Sequence, residues 1–229
     1  MKLFGHKLSL SAKIGLAIIA FNLVAMVLAP FLAPYGEGIP IDGVVKFDAP
    51  SSAHWLGIDN INRDLLSQLL YGARLSIGLS LLTTSVAFII GIVTGFCAAI
   101  MGRWVDVALS RFADLILSMP TLIFALVIIT VVMANEQGFI DATGISATVF
   151  EGATIVGVIG FLYAVPVFRL ARAVAMNIVV LEYVEAARLR GESIWWVIRR
   201  EVLPNAVPPL VAEFGLRFCF TFLLIAALS

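Results

Sequence analysis

Long apolar runs separated by short polar segments dominate the pattern of this chain. A helix needs about 17 to 25 apolar residues to cross the hydrocarbon core of a bilayer. Five runs are candidate spans on this criterion: residues 14–34, 75–101, 115–134, 152–168 and 207–228. The pattern therefore predicts an all-α, polytopic membrane helix bundle, with a fifth run that also carries the oppositely charged pair Glu213 and Arg217.

The polar segments between these runs predict loops and one surface helix. Residues 35–53 and 135–151 are rich in turn-forming or acidic residues and are expected to be loops on the outer side. Residues 54–74 are amphipathic, and Asp59 or Asn60 is expected to cap a helix that lies at the membrane surface. Its shared apolar face is formed by Leu65, Leu66, Leu69 and Leu70.

Two further patterns predict how the helices contact one another. Gly91 and Gly95 are spaced as Gly-x-x-x-Gly, which permits close approach of a second helix. After a short turn at 102–106, the acidic residues that precede the third span are expected to pair with arginines on their own segment. These residues are Asp106 and Asp114, with Arg103 and Arg111.

Composition supports the membrane assignment. Hydrophobic residues make up 61% of the chain, charged residues 13%, and mean hydropathy is +1.05. A soluble domain carries about 25% charged residues. The formal net charge of zero argues against a nucleic-acid partner, and with only His6 and His54 no histidine-based metal cluster can be assembled.

The segment 182–204, EYVEAARLRGESIWWVIRREVLP, is the longest polar stretch in the second half of the chain. Strong helix formers fill residues 182–190, and Gly191 is a natural stop. A second helix is expected over 192–202 and is expected to end at Pro204. Two short helices joined by small residues form a knob that a groove of another protein can hold, so the segment predicts a docking element.

The same residues carry a resemblance to a known family. Glu185-Ala186-Ala187, followed by Gly191 and by Leu203-Pro204, resembles the EAA loop of ABC-importer permeases, although Glu201 stands where that pattern has Ile. The resemblance implies that the loop is a coupling helix that inserts into an ATPase subunit. The implied coupling residues are Glu182, Glu185, Ala186, Ala187, Arg190, Gly191, Glu192, Ser193, Leu203 and Pro204.

Residues 54–74, HWLGIDNINRDLLSQLLYGAR, resemble the outer signature of the dipeptide/oligopeptide (and nickel) branch of these importers. Ile58 and Asn62 replace its usual Thr and Gly. The outer signature residues are His54, Trp55, Gly57, Asp59, Arg63, Asp64 and Arg74. Two interpretations stay open here: a helix that merely enters the second span, or a surface that meets a substrate-delivery protein.

The distribution of Lys and Arg predicts the orientation. Of the 15 Lys and Arg residues, eleven lie before the first span, in the 102–114 connection or in 169–200. Cytoplasmic loops carry an excess of Lys and Arg. The N-terminus and the 182–204 segment are therefore both expected in the cytoplasm, in a multi-pass protein of the bacterial inner membrane.

No phosphate-binding loop, zinc-protease motif or hydrolase nucleophile motif occurs in the chain. We therefore expect no enzyme activity and no cofactor on this chain, with ATP and Mg²⁺ held by partner subunits. The resemblance implies these partners: a second homologous permease, two cytoplasmic ATPase subunits and an extracytoplasmic substrate-binding protein.

The resulting hypothesis is a permease subunit of a type I ABC importer for di- or oligopeptides that forms half of the translocation pathway. Its predicted parts are a cytoplasmic N-terminus with the first span (1–34), an outer loop with an interfacial helix (35–74) and a permease domain (75–229). After Arg217 only a short uncharged stretch is left, so the resemblance implies a sixth span beyond the given sequence. The alternative hypothesis is a membrane scaffold or channel-like subunit without ATPase coupling.

Overall fold

The computed structural model describes residues 2–3, 6–7 and 9–228 and is almost entirely helical, which confirms the predicted all-α class. Met1, Phe4, Gly5, Leu8 and Ser229 lie outside the described residues. Two short strands, β1 (Lys2–Leu3) and β2 (His6–Lys7), pair in antiparallel register. The α-helices are α1 (Leu10–Leu32), α2 (Leu65–Met101), α3 (Arg103–Leu117), α4 (Thr121–Met133), α5 (Glu136–Thr143), α6 (Ala147–Val179), α7 (Glu182–Leu189), α8 (Ile194–Val197) and α9 (Leu203–Leu228).

The chain divides into two compact units, residues 1–78 and 79–229, and the division falls inside α2. In the first unit, the Ser9 hydroxyl accepts a hydrogen bond from Ala12 N (3.2 Å) and caps α1. An irregular segment, residues 33–64, then leads to α2. The surface helix predicted within residues 54–74 is found only in part. Residues 54–64 are irregular, and the remainder is the start of α2, which continues through the second span because residues 65–101 contain no proline to break it.

Four helical stretches are long and apolar enough to cross a membrane: Leu10–Leu32, Leu65–Met101, Ala147–Val179 and Ile194–Leu228. A fifth crossing is obtained if the bent pair of α3 and α4 counts as one broken span. On that count the structure agrees with the five spans predicted from the apolar runs.

The third predicted span, 115–134, is wrong in its boundaries. The chain breaks before Pro120 and turns by 91° between α3 and α4. Proline disfavours helical geometry at the residue before it and cannot donate its own amide hydrogen bond. With 13 residues, α4 is about 20 Å long and cannot cross the hydrocarbon core alone.

The predicted outer loop at 135–151 is also different in the structure. It contains the short helix α5, and α6 already begins at Ala147. Gly144 ends α5 in a left-handed conformation (φ 70°), where its amide donates to the Ile140 carbonyl at 2.8 Å. Acidic residues favour a loop in the sequence pattern, but a short helix accommodates them equally well.

In the second unit, the later part of α2 packs closely against α6. A Cβ atom on Gly91 would lie 2.7 Å from the Val167 Cβ atom, and one on Gly95 would lie 2.8 Å from the Phe168 carbonyl oxygen. Both distances are shorter than real Cβ contacts allow, so only glycine permits this approach. The close helix contact predicted from the Gly-x-x-x-Gly spacing is confirmed.

Helix α9 packs onto the same core. Phe88 on α2 meets Phe214 on α9 edge to face, with ring centroids 5.0 Å apart. The predicted pair on α9 is confirmed, since Arg217 Nε lies 2.6 Å from Glu213 Oε1. Pairing lowers the cost of holding these two charges in an apolar helix.

Candidate functional site: the α7–α8 hairpin and the outer-loop motif

The segment predicted to dock forms a helical hairpin at the junction of α6 and α9. We define the α7–α8 hairpin as residues 182–202: α7, the turn at Gly191, α8 and a π-helical segment, Ile198–Val202. Gly191 has φ +82°, a conformation that favours glycine, and its amide donates to the Arg188 carbonyl at 2.9 Å. The Ser193 hydroxyl caps α8 by accepting from Trp196 N at 3.2 Å.

The inner face of the hairpin is apolar and fully buried. Val184 and Ala187 on α7, together with Val197 and Val202 further on, are at most 1% exposed. They belong to one hydrophobic core with Phe96 of α2, Ala171, Ala175 and Ile178 of α6, and Ala206 and Leu210 of α9. The hairpin is therefore packed onto the ends of membrane helices and is not a loose connector.

The outer face of α7 carries charge and one prominent apolar side chain. Glu185, Ala186 and Arg190 are exposed, and Leu189 is 83% exposed. Leu189 is not among the coupling residues predicted from the motif. The signal was present in the sequence, because successive helical residues turn by about 100°, which places position 189 opposite Val184 and Ala187.

The structure separates the predicted coupling residues into two groups. Exposed positions are Glu182, Glu185, Ala186, Arg190, Gly191, Ser193 and Pro204, whereas Glu192 and Leu203 are half-buried. Ala187 has no exposed surface, so it supports the hairpin from inside and cannot itself contact a partner. The role of the exposed residues in coupling stays a prediction.

The expectation that Pro204 ends the second helix is wrong. The π-helical segment continues directly into α9, which includes Pro204, Pro208 and Pro209. Proline at 204 leaves carbonyl groups on the preceding turn without their usual amide donor. The wider π turn accommodates this loss, with Leu203 N donating to the Ile198 carbonyl, and the Asn205 side-chain amide donates to the Glu201 carbonyl at 2.7 Å.

The outer-loop motif, residues 54–74, uses its polar side chains internally. Asp64 is 2% exposed and caps α2: its Oδ2 atom accepts from Ser67 N and Ser67 Oγ, both at 2.8 Å. Its other oxygen lies 3.2 Å from His54 Nδ1, and the His54 ring stacks on Tyr35. The predicted cap, Asp59 or Asn60, is therefore wrong, because α2 begins after Asp64.

Asp59 instead closes the turn that precedes α2. Its carboxylate accepts hydrogen bonds from Ile61 N (2.9 Å), Arg63 N (2.8 Å) and Arg63 Nε (2.8 Å). Burial raises the pKa of Asp59, but the hydrogen bonds and charge of Arg63 and the Ile61 amide lower it more. The pKa therefore lies below its ordinary value of 3.8.

The remaining residues of the outer-loop motif are divided between the interior and the surface. Gly57 has φ +85°, and a Cβ atom there would lie 2.5 Å from the Asp48 carbonyl oxygen. Trp55 is 70% exposed, and Arg74 is exposed as well. Most residues of the motif thus stabilise the fold of the loop, and Trp55 is the main apolar side chain that stays accessible.

A bidentate ion pair joins α3 to α6. Both oxygens of Asp106 accept from the Arg172 guanidinium, the second through Nη2 at 2.6 Å. The predicted partners of Asp106, Arg103 and Arg111, are exposed and do not form this pair. The prediction considered only neighbours in sequence, whereas the fold brings in an arginine from a later helix.

No cluster of three His, Cys, Asp or Glu side chains able to hold a metal ion is found among residues 2–3, 6–7 and 9–228. The candidate functional features of this protein are the membrane helices, the α7–α8 hairpin and the outer-loop motif. The class they define is a polytopic helical membrane protein with a packed helical hairpin at the end of two spanning helices.

The chain belongs to the family of binding-protein-dependent transport system inner membrane components, whose family model matches residues 87–229. It is 30% identical to a dipeptide transport system permease protein of Alkalihalophilus pseudofirmus over 95% of the chain and 66% of that relative. It is 28% identical to a glutathione transport system permease protein of Pectobacterium atrosepticum, over 88% of the chain and 62% of the relative. It is 29% identical to a probable D,D-dipeptide transport system permease protein of Escherichia coli, over 93% of the chain and 65% of the relative.

The chain thus spans slightly less than two thirds of the length of these three curated relatives. The matched region of the family model contains the whole α7–α8 hairpin. The predicted resemblance to importer permeases is confirmed at the level of the family.

Proposed function

We propose that this chain is the transmembrane permease subunit of an ATP-driven importer and that it forms half of a translocation pathway with a second, homologous permease. Two cytoplasmic ATPase subunits hydrolyse ATP with Mg²⁺, and a substrate-binding protein delivers substrate at the outer face. The N-terminus and the α7–α8 hairpin lie in the cytoplasm, in agreement with the distribution of Lys and Arg.

The observation that carries this proposal is the two-faced α7–α8 hairpin. Its inner face shares a core with α6 and α9, and its outer face presents Leu189 between charged residues. In this position Leu189 can act as an apolar anchor that fills a pocket on a partner, while the charged residues around it contact the rim of that pocket. The exposed residues of the Glu-Ala-Ala motif, Glu185 and Ala186, lie on the same short helix.

The packing also supports a mechanism for coupling. Val184 and Ala187 touch the same core as Ala171 and Ala175 of α6, and the π-helical segment continues into α9 without a break. A close-packed core transmits displacement because its compressibility is low. A push on the hairpin by an ATPase subunit therefore moves α6 and α9 together and shifts the pathway between its two states.

The substrate proposal rests on the relatives. Those named above are permeases for dipeptides, glutathione and D,D-dipeptides, all of which contain amino-acid units joined by amide bonds. We therefore assign a short peptide as the substrate class.

The test is co-purification of the ATPase subunits with the tagged full chain from its native membrane. Leu189→Glu places a charge where a partner pocket receives an apolar group, so we expect the ATPase subunits to be lost. Leu189→Met keeps the volume and the apolar character, and this control is expected to retain them. Retention of the ATPase subunits by Leu189→Glu would overturn the proposed docking face.

A further inference from the structure

The second half of the α7–α8 hairpin contains a groove whose lining does not include Leu189, although it includes Ser193, one of the predicted coupling residues. The groove has a volume of about 330 Å³ and is lined by Ser193, Trp195, Trp196, Arg199 and Arg200. This volume falls at the lower end of the range for small-ligand sites, about 300 to 1,000 Å³. The floor of the groove is held in place, because Val197 and Ile198 of the same stretch are buried in the hydrophobic core.

The groove is positively charged and its cations are available. Arg199 and Arg200 are both exposed, and the described residues that line the groove include no Asp or Glu. Neither arginine forms an ion pair or a side-chain hydrogen bond within the part of the chain that the structure describes. Guanidinium groups bind phosphate oxygens in a bidentate manner, so the chemistry of the groove is suited to a phosphate group.

The position of the groove along the chain places it at the membrane surface. The apolar run 207–228 covers about 33 Å at 1.5 Å per residue, which matches the hydrocarbon core. Arg200 precedes this run by about 10 Å along the helix, just beyond the headgroup layer, and a long arginine side chain can reach back towards the membrane.

We propose that this groove binds the phosphate-containing headgroup of an anionic phospholipid, with Arg199 and Arg200 on the phosphate. Basic pockets next to spanning helices recognise anionic lipid headgroups by this chemistry. The site anchors the start of α9 at the membrane surface. It is separate from the Leu189 face and does not depend on the proposed ATPase coupling.

The experiment uses the assembled transporter, purified in detergent and freed of lipid, with binding of phosphatidylglycerol and phosphatidylcholine followed by native mass spectrometry. We expect the wild type to bind phosphatidylglycerol and Arg199→Gln/Arg200→Gln to bind it about thirtyfold more weakly. This factor corresponds to a loss of about 1 kcal/mol of binding free energy for each of the two arginines. The control Arg103→Gln/Arg111→Gln removes two exposed arginines from α3 and is expected to bind as the wild type does.

Three outcomes would overturn the proposal. Equal binding of phosphatidylglycerol by both double variants would show that the groove is not the site. Displacement of the lipid by millimolar inorganic phosphate would show a site for a free anion. Loss of the ATPase subunits from the Arg199→Gln/Arg200→Gln complex, with lipid binding unchanged, would assign the groove to the protein partner. ATPase retention by the Leu189 variants is measured separately, so failure here does not affect the proposed coupling function.

Discussion

The outer-loop motif and the α7–α8 hairpin use the same kinds of residues in opposite ways. In the outer-loop motif, Asp59 and Asp64 accept hydrogen bonds from neighbouring backbone amides, and the motif presents Trp55 to the surroundings. In the hairpin, the charged residues are on the outside and the inside is an apolar core around Ala187. A charged residue in the first motif therefore maintains a fold, whereas a charged residue in the second is available to a partner.

This difference has a physical origin. The first half of the outer-loop motif lies within the irregular stretch 33–64, where no helix supplies partners for the backbone, so side chains must supply them. The hairpin consists of helical turns whose backbone groups bond to one another, which leaves its polar side chains free. The two regions should consequently respond to substitution through different measurable quantities: local stability in the first and partner binding in the second.

The largest effect is expected for Asp64→Ala in the outer-loop motif. The substitution removes the cap of α2 and leaves Ser67 N and His54 without their buried acceptor. We expect the free energy of local unfolding to fall by about 2 to 4 kcal/mol, as the sum of a lost cap and lost hydrogen bonds to a charged group. Hydrogen exchange of residues 51–67 in the purified full chain measures this change.

The control for this prediction is Asp42→Ala, which removes a carboxylate from an exposed position of the same loop. Its exchange protection should match that of the wild type. Unchanged protection in Asp64→Ala would mean that the internal hydrogen bonds do not hold the loop, and the contrast between the two motifs would be lost.

Neighbouring alanines in the hairpin provide the second prediction. Ala187 has no exposed surface, so Ala187→Leu overpacks the core and should destabilise the hairpin by about 1 to 3 kcal/mol. Ala186 is exposed, and Ala186→Leu should alter stability by no more than about 0.5 kcal/mol. Thermal unfolding of the two variants in the same detergent tests this. Equal midpoints would contradict the inward orientation of Ala187.

Much of the fold follows from features that are local in the sequence. Long apolar runs identify spanning helices because backbone groups in a bilayer must bond internally, and the Gly91 and Gly95 spacing identifies a close helix contact. The turn of the hairpin is predictable because Gly191 can adopt a positive φ where most residues are strained. Each of these features is set by residues close together in the chain, and local reasoning finds them.

The features that sequence reasoning missed depend on contacts between distant segments or on how proline is accommodated. Asp106 pairs with Arg172, which is 66 residues away, and no spacing rule connects the two. The chain bends by 91° at Pro120, whereas Pro204 is tolerated within a helix because the preceding π turn accommodates it. The same residue type has two outcomes, and only the surrounding backbone decides between them.

A third prediction distinguishes the effect of backbone strain at Gly191 from the effect of blocking a partner at this turn. A Cβ atom on Gly191 would meet no described atom within 4 Å beyond its chain neighbours, so there is space for a side chain. Its φ of +82°, however, strains the backbone of any residue that has a side chain. Gly191→Ala should cost about 1 to 2 kcal/mol of stability and retain coupling between ATPase activity and transport. Gly191→Trp carries the same strain and adds a bulky ring at the exposed turn, so it should uncouple ATPase activity from transport. Normal peptide uptake by Gly191→Trp in vesicles would contradict the docking role of the turn.

The smallest expected effect is the pH response of the turn closed by Asp59. The pKa of its carboxyl is lowered in the folded state, so its contribution to stability is present above the ordinary value of 3.8 and is lost as pH falls below that value. We expect exchange protection of the Ile61 and Arg63 amides, corrected for intrinsic exchange rates, to decrease below about pH 4 in the wild type. In Asp59→Asn the same amides should show no such decrease, because the amide side chain does not titrate in this range. Asp42→Asn, which alters an exposed carboxylate without these bonds, should retain the wild-type pH response. A decrease in Asp59→Asn as steep as that of the wild type would assign the acid sensitivity to another group and would remove Asp59 from the residues that fold the outer loop.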